Sequence, residues 1–272
     1  MTPIEVQGLR KAYRGRVAVD GIDLAVPAGE VFALLGPNGA GKTTTIEILE
    51  GHRRRDAGTV AVLGEDPGTA GRRWRARIGI VLQGAADAAE LTVRETVRHF
   101  AGFYPAPRDP DEVIAAVGLT GQAGARIRTL SGGQRRRVDV ALGVVGGPEL
   151  VFLDEPTTGF DPEARRRFWE LIRSLAANGT TILLTTHYLD EAEALAARLA
   201  VIANGRIVAS GTPATIGGRD HAQATVSWRD ATGAREVRTD EPVRFVGQLP
   251  ADAADVRVTR PTLEDIYLGL IA

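Results

Sequence analysis

Gly36-Pro37-Asn38-Gly39-Ala40-Gly41-Lys42-Thr43 decides the fold. Its fixed positions fill the spacing G-x-x-x-x-G-K-[ST], in which a turn of small residues leads into a helix. Upstream, Val31-Phe32-Ala33-Leu34-Leu35 is a short apolar run that suits a buried parallel strand. Downstream, Ile46 and Leu49 lie three apart, as on one face of a helix running from Thr43 to Glu50. Strand, turn and helix follow in the order that such a turn needs. Glycine serves here because a side chain would hold the backbone away from an anion and would penalise positive φ. Successive N–H groups then form an anion-binding nest, reinforced by the positive end of the helix. Lys42 supplies a compact charge for the β- and γ-phosphates of a nucleotide, and the Thr43 hydroxyl is placed to ligate Mg2+. Lys11 and Lys42 are the only lysines amid a large excess of arginine. Composition alone does not put a lysine at this position.

Leu150-Val151-Phe152-Leu153-Asp154-Glu155-Pro156 reads as a second buried strand that ends in two carboxylates. Ligands of an open parallel sheet gather beyond the carboxyl ends of its strands, so both acids should face the site. Adjacent strand residues point to opposite sides, which assigns the acids different tasks. Asp154 is placed to hold Mg2+ through water, and Glu155 to orient or deprotonate an attacking water.

A second glycine turn, Leu130-Ser131-Gly132-Gly133-Gln134, precedes a helix-like run from Gln134 to Val145. Ser131 is a good N-cap, and the glycine pair lets backbone N–H groups approach an anion. It is a second potential phosphate clamp in a chain with one phosphate loop.

Together these residues resemble the nucleotide-binding subunit of ATP-binding-cassette (ABC) transporters, over nearly the whole chain. The linear order matches: phosphate loop, a glutamine after a strand (Gln83), Leu-Ser-Gly-Gly-Gln, the acid pair, an Asp-bearing loop (Asp161), then a histidine (His187). The resemblance implies ATP bound by Tyr13, stacked on adenine, and by Gly36, Pro37, Asn38, Gly39, Ala40, Gly41, Lys42, Thr43 and Thr44. It implies catalysis by Glu155, His187 and Gln83, with Mg2+ held by Thr43, Gln83 and Asp154. It also implies that Ser131, Gly132, Gly133, Gln134 and Asp161 act in trans, on ATP held by the phosphate loop of a second copy. ATP would then favour a closed homodimer, and hydrolysis would reopen it.

The chain has 272 residues, 44% hydrophobic and 25% charged, which suffices for one large α/β domain and an appendage. A net charge of -1 provides no global field for nucleic acid, and no nucleic-acid partner is expected. Arginine clusters at 53–55, 72–77, 135–137 and 165–167 read as solvated helix faces or partner contacts, with Trp74 the one interleaved aromatic. The absence of cysteine excludes disulfides and thiolate metal sites. No apolar run approaches the roughly 18–20 residues that span a bilayer, and the N-terminus lacks a signal-peptide pattern. The expectation is a peripheral subunit at the cytoplasmic face of the membrane, working with integral-membrane permease subunits.

The fold expected is α/β: a P-loop NTPase core of ABC type with an N-terminal antiparallel β subdomain, a helical subdomain and a small C-terminal α+β extension. The cassette is placed at 1–216, with helices over about 84–148, and the accessory domain at 217–272. Within the helical part, Thr92 caps a helix reaching Tyr104, and Asp111 starts another reaching Val117. Thr225–Trp228 and Glu236–Arg238 read as a hairpin, Val256–Val258 as a strand, and Pro261–Leu270 as a closing helix with proline at its start. The segment 261–268, Pro-Thr-Leu-Glu-Asp-Ile-Tyr-Leu, resembles the tail of daunorubicin-resistance exporters, pointing to export of a small hydrophobic compound. Two departures from the family stand out: small and polar residues over 84–90, and Phe160 for a commoner Leu, which bears on packing across the dimer. A ribosome- or DNA-directed ABC ATPase would carry paired cassettes or long coiled coils, neither of which is present. A binding module without turnover would not need Glu155 and His187.

Overall fold

The apolar run at 31–35 lies inside a parallel sheet, flanked by strands drawn from distant parts of the chain. The structure is a computed structural model that describes residues 2–81 and 90–272. In chain order come β1 (Ile4–Tyr13), β2 (Arg16–Val26), β3 (Val31–Leu35), α1 (Lys42–Leu49), β4 (Ala57–Val62), α2 (Arg72–Arg75) and β5 (Ile78–Val81). A helical stretch follows with α3 (Val93–Ala101), α4 (Pro110–Ala116) and α5 (Gly132–Val145). The chain then alternates through β6 (Leu150–Asp154), α6 (Pro162–Ala177), β7 (Thr181–Thr185), α7 (Leu189–Leu195), β8 (Arg198–Ala203) and β9 (Arg206–Gly211). It closes with β10 (Ala224–Asp230), β11 (Gly233–Thr239), α8 (Pro242–Val246), β12 (Ala254–Thr259) and α9 (Leu263–Ile271).

The central sheet has the order β5-β6-β7-β3-β8-β9, with only β9 antiparallel to its neighbour. Its middle strands are apolar at nearly every position because helices and the second sheet cover both faces. The N-terminal sheet, β2-β1-β4, is antiparallel and recruits β4 from beyond α1. Ile4, Val6, Leu24 and Val26 of that sheet pack with Ile46, Ile48 and Leu49 of α1 and with Phe32 and Leu34 of β3. On the other face, β3, β6 and β7 pack against residues of α3, α4, α5 and α6, among them Val97, Ile114, Val144 and Ile172.

Helix boundaries follow local capping. Thr92 caps α3 through a reciprocal box with Glu95, but the helix stops at Ala101, three residues short of Tyr104. α4 begins one residue before the expected Asp111. Asp109 is the true cap, accepting from the N–H groups of Asp111 and Glu112, and Pro110 takes the first helical position. At the C-terminal helix, Thr262 caps α9 in a box with Asp265, which leaves Pro261 outside. The hairpin β10–β11 and strand β12 form a three-stranded antiparallel sheet, and α8 is an addition that the sequence reading lacks. α9 packs Leu263, Ile266 and Leu270 with Ala192, Leu199, Val201 and Ile216. Arg219 bridges the same junction through Pro213 O (2.8 Å), Pro261 O (3.1 Å) and an ion pair with Glu193 (2.8 Å).

One sequence expectation, on Phe160, needs correcting. Phe160 is buried in the chain's own core, edge-to-face with Phe168 at 5.8 Å, so its size answers to intrachain packing rather than a dimer surface. Trp74 is likewise a core residue, with Nε1 donating to Val62 O at 2.8 Å.

Candidate nucleotide site

The carboxyl ends of β6, β7 and β3, three adjacent strands, bring the sequence-distant motifs together. β3 delivers the glycine turn, β6 the two acids, and β7 the Thr185-Thr186-His187 segment. A cavity of about 660 Å³ lies there, lined by Tyr13, Arg16, Ala18, Asn38, Gly39, Gly41, Lys42, Thr43, Thr44, Asp154 and Glu155. Of the residues expected to bind ATP in this chain, Gly36, Pro37 and Ala40 lie in the same turn but do not line the cavity. Gln83 and the variant segment that follows it fall outside the described residues, apart from Glu90.

The turn is shaped as much by its neighbours as by any anion. A Cβ on Gly36 would sit 2.3 Å from Ile202 O of β8, and one on Gly41 would sit 2.4 Å from Ala18 O of β2. Gly41 also holds φ at 110°, a backbone state that side chains penalise. The Lys42 ammonium folds back on its own loop and donates to Gly36 O at 2.5 Å and Pro37 O at 3.1 Å. Burial lowers its proton affinity, while Glu155 and Asp154 act to raise it, so the charge is sustained by the acids it faces.

A single residue of β7 organises both acids. The Thr185 hydroxyl donates to Asp154 Oδ1, and the Thr185 carbonyl accepts from the Glu155 N–H at 3.0 Å. β6 ends at Asp154, and Glu155 turns off it with φ at 44°. The strand alternation expected from the sequence therefore does not separate the two side chains. A left-handed residue does, at a cost of about 1–2 kcal/mol for a residue with a Cβ, and both acids line one cavity. His187 Nδ1 lies 3.3 Å from Glu155 Oε1, and its ring lies 4.0 Å from that of Tyr188.

Beneath the acids sits Arg136, a residue that the sequence reading left among solvated arginines. It is 8% exposed, and its guanidinium donates to Asp154 O (2.6 Å) and Pro156 O (3.2 Å). Burial pulls its proton affinity down, and Asp139, Asp154 and Glu155 hold it up. The signal was present in the sequence: Arg136, Val140 and Val144 share one helical stripe, and both valines are buried.

Tyr13 is at the cavity rim, 36% exposed, with the Arg53 guanidinium 5.1 Å and the Lys11 ammonium 5.6 Å from its ring centre. Arg16 and Ala18 complete this wall and were not picked out in the sequence.

The second glycine turn does not line this cavity. Ser131 caps α5 in a reciprocal box with Gln134, and a Cβ on Gly133 would lie 3.5 Å from Gly159 O. The Ser131–Gln134 turn and the loop leading to Asp161 are thus neighbours at a separate place on the surface. The Asp161 carboxylate caps α6, accepting from the Ala164 N–H at 2.8 Å, and that bond holds its proton affinity below the usual range.

A second cavity, about 450 Å³, opens between α3, α5 and β5, with Arg75, Ile80, Phe100, Tyr104 and two acids among its lining. Burial pushes Glu50 up to about 8, helped by Asp154 and Glu47, and pushes Asp139 up to about 6 against the pull of Arg136. His52 Nδ1 stands 3.3 Å from Glu50 Oε2.

Among the described residues no group of three His, Cys, Asp or Glu side chains could by itself hold a metal. Thr43 and Asp154, which both line the cavity, offer a hydroxyl and a carboxylate, the hard oxygen donors of a Mg2+ site that takes one or two protein ligands.

Residues 19–158 match the ABC transporter family. The chain is 39% identical to the daunorubicin resistance ATP-binding protein DrrA3 of Streptomyces coeruleorubidus, over 99% of this chain and 96% of that protein. It is 41% identical to the Nod factor export ATP-binding protein I of Burkholderia orbicola, over 97% of this chain and 85% of that protein. A solved ATP-binding subunit of an ABC transporter superposes with a TM-score of 0.74 at 25% identity, covering 99% of both chains. With its phosphate turn, acid pair and histidine gathered at the ends of three adjacent strands, this chain belongs to the ABC transporter family as an ATP-binding ATPase subunit.

Proposed function

We propose that this ATPase powers export of a small hydrophobic compound through a separate membrane permease, with ATP closing two copies of the chain upon each other. The hydrolytic part of this reading rests on the His187–Glu155 contact of 3.3 Å, with Glu155 lining the same cavity as Lys42, Thr43 and Asp154. Export is supported by two relatives whose names specify drug resistance and Nod factor export. Among the described residues no helix is long and apolar enough to cross a membrane, which fits a subunit that borrows its pore and sits at the cytoplasmic face.

In this reading the N–H groups of the 36–43 turn and the Lys42 ammonium hold the triphosphate, and Tyr13 receives the adenine. The Thr43 hydroxyl, the Asp154 carboxylate and Gln83 would hold Mg2+, which would supply charge neutralisation at the phosphates. Glu155 orients the attacking water and takes its proton, and His187 steadies that carboxylate. The turn Ser131–Gln134, with Gly132 and Gly133, and Asp161 have no nucleotide to serve in their own chain. They complete the site of a second copy. The Glu50–Asp139 cavity, partly apolar and lined by Ile80, Phe100 and Tyr104, is the proposed seat for an amphipathic segment of the permease.

Glu155→Gln tests the reading. The variant should bind ATP with Mg2+, lose turnover by at least about 100-fold and elute as a dimer. A variant that binds ATP and stays monomeric would refute closure, and one that keeps full turnover would refute the role of Glu155.

A further inference from the structure

Behind the acids lies a buried carboxylate that this hydrolytic scheme does not use. Glu191, on α7, is 0% exposed, and the Trp169 indole N–H donates to its Oε1 at 3.3 Å. The hydroxyls of Thr157 and Thr186 also face the carboxylate and favour its charged form, opposing a burial that favours protonation. Yet Glu191 Oε2 and Thr157 Oγ1 are both buried without a completed hydrogen bond. Two such orphans at one junction are uncommon in a folded interior.

The placement of these groups gives the junction its meaning. Thr157 follows Glu155 by two residues, and Thr186 directly precedes His187. Trp169 stands on α6, the helix that Asp161 caps. One carboxylate therefore faces the segments that bear three of the proposed site residues. Thr186 Oγ1 already accepts from the Tyr188 N–H at 3.0 Å, so its own proton is available to Glu191.

We infer that Glu191 is a positioning residue. It anchors the Thr157 hydroxyl and, through Thr186, sets His187 against Glu155, so that the 156–161 loop and the histidine turn are held in one register. The inference rests on the roles proposed above for Glu155 and His187. It assigns Glu191 no contact with nucleotide, which separates it from a group that binds ATP.

Steady-state ATP hydrolysis by the full chain tests this. Glu191→Gln and Thr157→Val keep side-chain volume, and each should lower kcat about tenfold while leaving KM for ATP within about twofold. The losses in the double variant should be less than multiplicative, because both substitutions act on the Thr157–Glu191 contact, which Gln retains only as a weaker neutral acceptor. Thr157→Ser, which keeps the hydroxyl, should retain the wild-type rate. Losses that multiply in the double variant, or KM rising in step with the fall in kcat, would overturn the inference. So would full activity of Thr157→Val, which replaces one methyl-sized group and does not threaten the fold. Glu155→Gln is run alongside. If it stays active, the underlying catalytic reading fails and takes the inference with it. If it is inactive while Glu191→Gln and Thr157→Val turn over normally, the inference alone is wrong.

Discussion

Thr185 holds Asp154 by its hydroxyl and the Glu155 amide by its carbonyl, so one residue of β7 fixes both acids of the neighbouring strand. Thr185 is fully buried, and nothing else among the described residues donates a hydrogen bond to the Asp154 carboxylate. Thr185→Val removes that donor at nearly constant volume. We expect a stability loss of about 1.5–3 kcal/mol, the range for a hydrogen bond to a charged group, and a fall in kcat. Urea unfolding and an ATPase assay measure the two effects separately.

Arg136→Met removes the guanidinium beneath the acid loop and orphans the carbonyls of Asp154 and Pro156. A buried charge pairing broken from one side costs about 3–5 kcal/mol. Asp139 Oδ2, 4.0 Å from the guanidinium and as deeply buried, loses its ion-pair partner as well. Arg136→Lys should recover little, since one ammonium does not reproduce the planar fork. Equilibrium denaturation of both variants decides the point.

Two glycines of the phosphate turn should respond differently to alanine. Gly36→Ala forces a Cβ to within 2.3 Å of the Ile202 carbonyl, so β3 and β8 must separate or the turn must shift. Gly39 has φ at 78° and open space around it, so Gly39→Ala carries only the backbone penalty of about 1–2 kcal/mol. Thermal unfolding should rank Gly36→Ala as clearly the less stable of the two.

Glu50 and Asp139 make stability depend on pH in an unusual direction. Both hold a proton more tightly in the folded chain than in the unfolded one, at about 8 and about 6 against ordinary values of 4.5 and 3.8. Folding therefore takes up protons between those limits, and stability falls as pH rises from about 4 to about 8. The combined effect is on the order of a few kcal/mol. Denaturation midpoints should be higher at pH 5.5 than at pH 8 by this contribution, and Glu50→Gln should flatten the slope.

The parallel core was legible because each of its motifs sits at a strand end with an apolar run before it. Val31–Leu35, Leu150–Asp154 and Thr181–Thr185 are uniformly buried strands, and that uniformity is what the sequence shows. Capping was legible where the side-chain chemistry is strong, as at Thr92 and Ser131. It went astray at Asp109 and Thr262, where a neighbouring proline or a second acid offered a rival start. Arg136 was hidden by its company, since Arg135 and Arg137 flank it and a run of charge reads as solvated. Only the helical stripe distinguishes it. The left-handed turn at Glu155 has no local signal, and the bond that holds its N–H comes from Thr185 on another strand.

Arg136 lies two turns or less from the cap at Ser131, on the same rigid helix, and grips the backbone that carries Asp154 and Glu155. In the proposed dimer, a force applied at the glycine turn by the second copy would be delivered through α5 to the acids of the chain being touched. Twin sites in such an assembly would be mechanically geared to one another, each copy sensing through its own α5 helix whether its mate is loaded.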